Sequence, residues 1–98
     1  MRVLEMVSFE LAAGSEEDFV TASAEIDTWV AQQTGFVHRH LAKVDGGAWT
    51  DVILWESVEA AQQAAKKIMQ EIGDCAAMRM IDPTTVKTTH AAVKAFSS

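Results

Sequence analysis

Two strand-like segments of this chain are apolar on both sides, yet only two helical segments exist to cover them. That imbalance limits the fold more than any other feature. Residues 2–11 alternate with a period of two. Val3, Val7, Phe9 and Leu11 share one side with Glu5, and Leu4 and Met6 lie on the other, followed by Ser8 and Glu10. Residues 49–56 behave alike, with Ile53 and Trp55 on the side of Asp51, and Val52 and Leu54 on the side of Glu56. Two helices can cover one face of a four-stranded sheet and not both. A large apolar face rarely stays in water, so it calls for a partner, and the plainest partner is a second copy of the chain.

The remaining elements follow from stop signals and periodicity. Gly14 breaks the first strand. Ser15 followed by Asp18 resembles a capping box with Asp in the usual Glu/Gln place, and the acidic first turn suits the helix dipole. The spacing predicts a helix to about residue 33, with Phe19, Ala22, Ser23, Ile26, Trp29 and Val30 on one stripe and Gly35 as the stop. Residues 36–44 and 49–56 read as strands joined across Asp45-Gly46-Gly47-Ala48. If Gly46-Gly47 forms a two-residue loop, His40 lies opposite Ile53 and His38 opposite Trp55. Phe36, His38, His40, Ala42, Asp51, Ile53 and Trp55 then share one face, and Val37, Arg39, Leu41, Val52, Leu54 and Glu56 share the other. Ser57 caps a second helix whose buried stripe is Val58, Ala61, Ala65, Ile68 and Ile72, and Gly73 ends it. Residues 74–81 predict one more short turn bearing Met78 and Ile81. Pro83 opens a fourth strand over residues 84–94. The order is βαββαβ in one α+β domain spanning residues 1–98, a four-stranded antiparallel sheet with two helices on one face.

Composition excludes several classes. The net charge is −6, with 14 acidic and 8 basic residues, and Lys66-Lys67 is the only adjacent basic pair, so nucleic acid is not an expected partner. No run of about 18 apolar residues exists to span a membrane. The first residues lack the long apolar run of a secretory signal, since Glu5 and Glu10 interrupt it. Cys75 is the only cysteine, which rules out an internal disulfide and suits a reducing cytoplasm. It has no neighbouring motif and is assigned no role.

The order of elements and the string Asp51-Val52-Ile53-Leu54-Trp55-Glu56-Ser57-Val58-Glu59-Ala60 resemble the antibiotic biosynthesis monooxygenase (ABM) domain family over roughly residues 2–95. Gly35-Phe36 and Trp55-Glu56-Ser57 carry the resemblance most strongly. It implies a ferredoxin-like fold that pairs into a dimeric α+β barrel. The family holds cofactor-independent oxygenases of aromatic polyketides, haem-degrading enzymes and members without known activity, so the motifs speak for fold more than reaction. Family pockets lie between sheet and helices, which implies that the Trp55 side faces the helices. Trp55 matches a tryptophan that lines the pocket in the haem degraders. Those enzymes also use an asparagine that aligns with Val7 and a helix histidine near Ala65, and this chain has no Asn at all. Haem degradation by that route is not expected.

On this reading His38 and Trp55 are the candidate catalytic residues, and Glu5, Val7, Phe9, Trp29, His40 and Ile53 line the substrate pocket. An imidazole at His38 would remove a proton from an acidic phenol or enol, leaving the substrate electron-rich enough to meet oxygen without a cofactor. The competing reading makes both histidines satisfied polar residues on a partly buried strand. His-x-His could also supply two metal ligands, completed by Glu5, Asp51 or His90, but the rest of such a set lies on distant segments and no metal is expected. Glu5 must be paired, solvated or protonated, with His38, His40 and His90 as partners in reach. Trp49 reads as a partly exposed hairpin residue, and Arg39 and Glu56 as an ion pair on the barrel face. The function implied is oxygenation of a small aromatic or quinol-like compound by a homodimer. The alternative is a non-catalytic dimeric barrel that binds a small ligand or serves as a structural module.

Overall fold

The computed structural model describes residues 1–97. Strand β1 (Val3–Phe9) leads into helices α1 (Glu16–Ala22) and α2 (Ala24–Ala31). The hairpin of β2 (Phe36–Lys43) and β3 (Trp49–Trp55) follows, then the long α3 (Val58–Ile72), the short α4 (Ala76–Met80), a 3-10 turn (Pro83–Thr85) and β4 (Lys87–Ala92). The strands form one antiparallel sheet in the order β2-β3-β1-β4, with the helices on one face, the expected ferredoxin-like α+β arrangement.

The caps are those read from the sequence. Ser15 Oγ accepts the Asp18 N–H at 3.1 Å, and Ser57 Oγ accepts the Ala60 N–H at 3.1 Å. The first helix is not continuous, however. At Ser23 it splits into α1 and α2, and the Ser23 hydroxyl donates to the Val20 carbonyl at 2.8 Å. Such local back-bonding competes with the helix ladder and bends it. The predicted stripe survives the break, since Phe19, Ser23, Ile26, Trp29 and Val30 are all buried. On α3 the buried set shifts slightly: Ala60, Ala61, Ala64 and Ile72 are buried, whereas Val58 is exposed. Pro83 opens the 3-10 turn rather than a strand, which delays β4 to Lys87. Trp49 is a core residue at 4% exposure, not a partly exposed one. It pairs with Phe9 on the helix-facing side, and its ring meets Phe19 edge-on at 4.9 Å.

The largest departure is in the β2–β3 hairpin. Val44 N–H donates to the Ala48 carbonyl at 3.1 Å, and Gly47 N–H donates to Val44 at 2.8 Å, with Gly46 at φ 65°. Three residues, Asp45 to Gly47, therefore lie between the paired positions, where a two-residue loop was expected. One extra loop residue slips the register by one, and a one-residue slip turns every side chain to the other face. His38 pairs with Leu54, Arg39 with Ile53 and His40 with Val52. His38 and His40 thus lie on the helix-free face, and Arg39 and Leu41 face the helices. A β-bulge at Val37 then restores Phe36 to the helix side, opposite Trp55.

The two motif fragments that carried the family resemblance meet in space. Gly35 O accepts the Glu56 N–H at 2.8 Å, and the Phe36 ring stands edge-on to Trp55 at 6.2 Å. Gly35 has φ 84°, and a Cβ there would come within 2.5 Å of the Ala60 Cβ. Glycine is needed both for the left-handed backbone and for the close approach of α3. Gly35→Ala should lower stability by about 2 kcal/mol or more in urea denaturation. In an Ala60→Gly background the same change should cost less, because only the backbone penalty remains.

Candidate functional site

The sheet and helices enclose a cavity of about 510 Å³. Its floor is the inner sheet face: Glu5, Val7 and Phe9 from β1, Asp51, Ile53 and Trp55 from β3, and Thr88 and His90 from β4. Period-two alternation in three paired strands puts these residues on one side, and the ladder pairs Glu5 with Ile53 and His90, and Val7 with Asp51 and Thr88. The roof comes from the helices: Phe19 on α1, Ile26, Trp29 and Val30 on α2, Ala64, Ala65, Ile68 and Met69 on α3, and Met78 on α4. Exposed lining residues mark the mouth, with Ala65 and Met69 on α3, Val86 just before β4, and Thr88 and His90 on β4.

Of the expected pocket residues, Glu5, Val7, Phe9, Trp29, Ile53 and Trp55 line this cavity, and His38 and His40 do not. The hairpin register is the reason. On the helix-free face the two imidazoles stand 5.0 Å apart, and His38 Nδ1 is buried with no hydrogen-bond partner among the described residues. The cavity has a different histidine. His90 Nε2 lies 3.2 Å from Glu5 Oε2, while the Trp55 indole N–H donates to Glu5 Oε1 at 3.1 Å. The Glu5 side chain is 12% exposed, so its two oxygens are each met by a ring nitrogen in a largely dry setting. With its proton on Nε2, His90 donates to Glu5 and keeps Nδ1 free to accept one. His90 was read in the sequence as a partner in reach of Glu5 and as one possible completion of a metal set, not as a pocket residue. The Glu5–His90 pairing depends on the β1–β4 register, which no local pattern displays.

A second polar group lies on the same floor. Asp51 accepts from Arg39 through three contacts of 2.9 to 3.1 Å between Nε, Nη2 and both carboxylate oxygens. The Arg39 side chain is 5% exposed and also reaches Asp27 on α2 at 3.5 Å. The expected ion pair of Arg39 with Glu56 is therefore replaced. Arg39 has turned to the helix side, and Glu56 instead meets Arg2 at 3.4 Å on the surface. In the roof, the Trp29 indole N–H donates to Glu71 at 2.9 Å and ties α2 to α3. Cys75 is buried and caps α4 without a side-chain bond. Among the described residues, no three His, Cys, Asp or Glu side chains gather into a metal-holding group. Among the same residues no helix is long and apolar enough to cross a membrane.

Neither a protein-family profile nor a curated protein sequence matches the chain. Solved structures do. SnoaB, a cofactor-independent oxygenase from Streptomyces nogalater, in mutant form, matches with a TM-score of 0.77 at 16% identity, over 97% of this chain and 95% of its own. MhuD, a heme-degrader from Mycobacterium tuberculosis with two hemes in its active site, gives 0.80 at 21% identity, over 98% and 99% of the two chains. A Bordetella bronchiseptica protein classed as a candidate antibiotic biosynthesis monooxygenase gives 0.69 at 19%, over 94% and 96%. The chain has the fold of these ABM-type proteins, as its motifs implied, and at such identities the likeness is one of fold.

The Arg39–Asp51 pair can be tested directly. Removing one partner of a buried ion pair leaves an uncompensated charge, so Arg39→Ala should cost about 3–5 kcal/mol. The double replacement Arg39→Leu with Asp51→Leu should recover most of that loss in chemical denaturation.

Proposed function

We propose that this protein oxygenates a small aromatic hydroxy compound, a phenol whose para carbon carries hydrogen, without a cofactor. The observation that carries the reading is one linked polar set, Trp55–Glu5–His90, on the floor of an otherwise mostly apolar cavity. An aromatic ring suits walls built of Phe9, Phe19, Trp29 and Ile53. Its hydroxyl suits a histidine held by a carboxylate. The fold shared with a cofactor-independent oxygenase adds support by analogy.

The chemistry asked of the chain is modest. His90 takes the hydroxyl proton on Nδ1, and Glu5 holds the imidazolium that forms, while Trp55 fixes the other carboxylate oxygen. Glu5 is thus a positioning residue and His90 the base. The phenolate is electron-rich at the carbon para to its oxygen, and that carbon gives electrons to dioxygen and forms a C–O bond. The resulting hydroperoxide loses water and leaves a quinone. One oxygen atom enters the product and the other leaves in water, so phenol plus dioxygen gives quinone plus water with all electrons drawn from the substrate. The cavity's part is to hold the anion and exclude solvent.

A haem reading fits these residues poorly. Val7 and Ala65, which take the places of the family's asparagine and helix histidine, both line the cavity and are apolar. The one imidazole on the cavity wall is already engaged by Glu5.

With a panel of phenols, hydroquinones and enols, oxygen uptake should appear for at least one compound. His90→Ala should then reduce it by about 10²–10⁴-fold, and His38→Ala should leave it nearly unchanged. No uptake across the panel, with binding retained, would make the protein a ligand-binding module instead.

The same reading places two copies sheet to sheet. Leu4, Met6 and Val52, all half-buried, lie on the helix-free face at the two central strands, while Leu54 on the same face is already covered within the chain. The buried lone thiol of Cys75 supports a reducing compartment such as the cytoplasm. Val52→Glu should convert a light-scattering dimer to monomer, since it sets like charges against each other in a closed two-fold contact. A stable monomer for the unmodified chain at micromolar concentration would remove the dimer.

A further inference from the structure

We propose that Asp51 is a specificity-determining residue that selects substrates carrying a second hydrogen-bond donor at the far end of the aromatic system from the reacting hydroxyl, with the para carbon left free. The inference rests on the phenol reading of the cavity and narrows it to dihydroxy aromatics.

The register supplies the geometry. Glu5 pairs with Ile53 and Val7 pairs with Asp51, so Glu5 and Asp51 share the cavity floor two rungs apart along the ladder. At about 3.4 Å per residue that offset is about 7 Å along the strands. Between the two carboxylates lie Val7 and Ile53, an apolar bed for a flat ring. A ring on that bed presents one end to Glu5 and His90 and the other to Asp51.

The chemistry at the second end is one-sided. An ionised carboxylate only accepts hydrogen bonds, and each oxygen accepts more than one. Arg39 compensates the charge of Asp51 without entering the cavity, and its contact with Asp27 holds it on the far side. Among the described residues no Lys or Arg lines the cavity. A hydroxyl brought to Asp51 finds an acceptor. An ether or bare C–H at that point leaves a dry carboxylate without its bond to solvent, and a ligand carboxylate meets a like charge. Sites built to bond a hydroxyl discriminate strongly against analogues that lack it.

Titration calorimetry under nitrogen tests this with naphthalene-1,5-diol, 1-naphthol, 5-methoxy-1-naphthol and 5-hydroxy-1-naphthoate. The diol should bind about tenfold or more tightly than 1-naphthol. The methoxy compound should resemble or fall below 1-naphthol, which separates a donor requirement from one of size. The carboxylate should bind weakest. In the Arg39→Leu, Asp51→Leu double variant, the advantage of the diol over 1-naphthol should vanish while 1-naphthol still binds. Equal affinity for diol and 1-naphthol in the unmodified protein would overturn the role of Asp51 and leave the phenol reading standing. Failure of every naphthol to bind would overturn both.

Discussion

The pairing of β1 between β3 and β4 is the constraint on which the rest depends. β1 is one of the two central strands, and its apolar residues point both ways. Its inner side interrupts the apolar run once, at Glu5, and that carboxylate cannot be left alone in a largely dry place. The ladder answers the need by setting His90 directly opposite and the Trp55 indole within 3.1 Å. The polar floor of the cavity is therefore also the solution to a folding problem. A site of this kind keeps its geometry because the register of three strands holds it, not a loop.

Charge is compensated in two separate places. Glu5 is met by an imidazole that can move a proton and by an indole that only donates a hydrogen bond, and Asp51 by a guanidinium that moves none. On the reading proposed above, the first pair serves chemistry and the second recognition. Arg39 is buried on β2, beyond the cavity wall, so its charge acts on Asp51 without offering a ligand a cation. The apolar roof from α2 and α3, tied by Trp29 and Glu71, covers the floor, and the cavity opens along β4 beside His90.

Much of the fold was legible. The capping serines, Gly35, the aromatic stripe of the first helix and the inner face of β1 were each read from local chemistry, and each sits as read. The site was legible only in part. Val7, Phe9, Trp29, Ile53 and Trp55 reach the cavity because alternation and helical spacing assign them a side irrespective of neighbours. His38 and His40 do not, because their side depended on counting through a turn. Asp45-Gly46-Gly47-Ala48 admits a two-residue or a three-residue loop, and glycine is permissive enough for either. The difference of one residue reversed the face of β2.

The sequence by itself determined the order of the main elements, the caps that start the helical segments and the apolar residues on both sides of β1 and β3, because these follow from periodicity, caps and stops within short windows. Only the tertiary structure decided which titratable groups meet. Glu5 and His90 stand 85 positions apart, and Arg39 and Asp51 face each other across a hairpin whose loop length is a balance of near-equal alternatives. Contacts of that kind are set by strand register, and register is an outcome of packing the whole sheet against its helices.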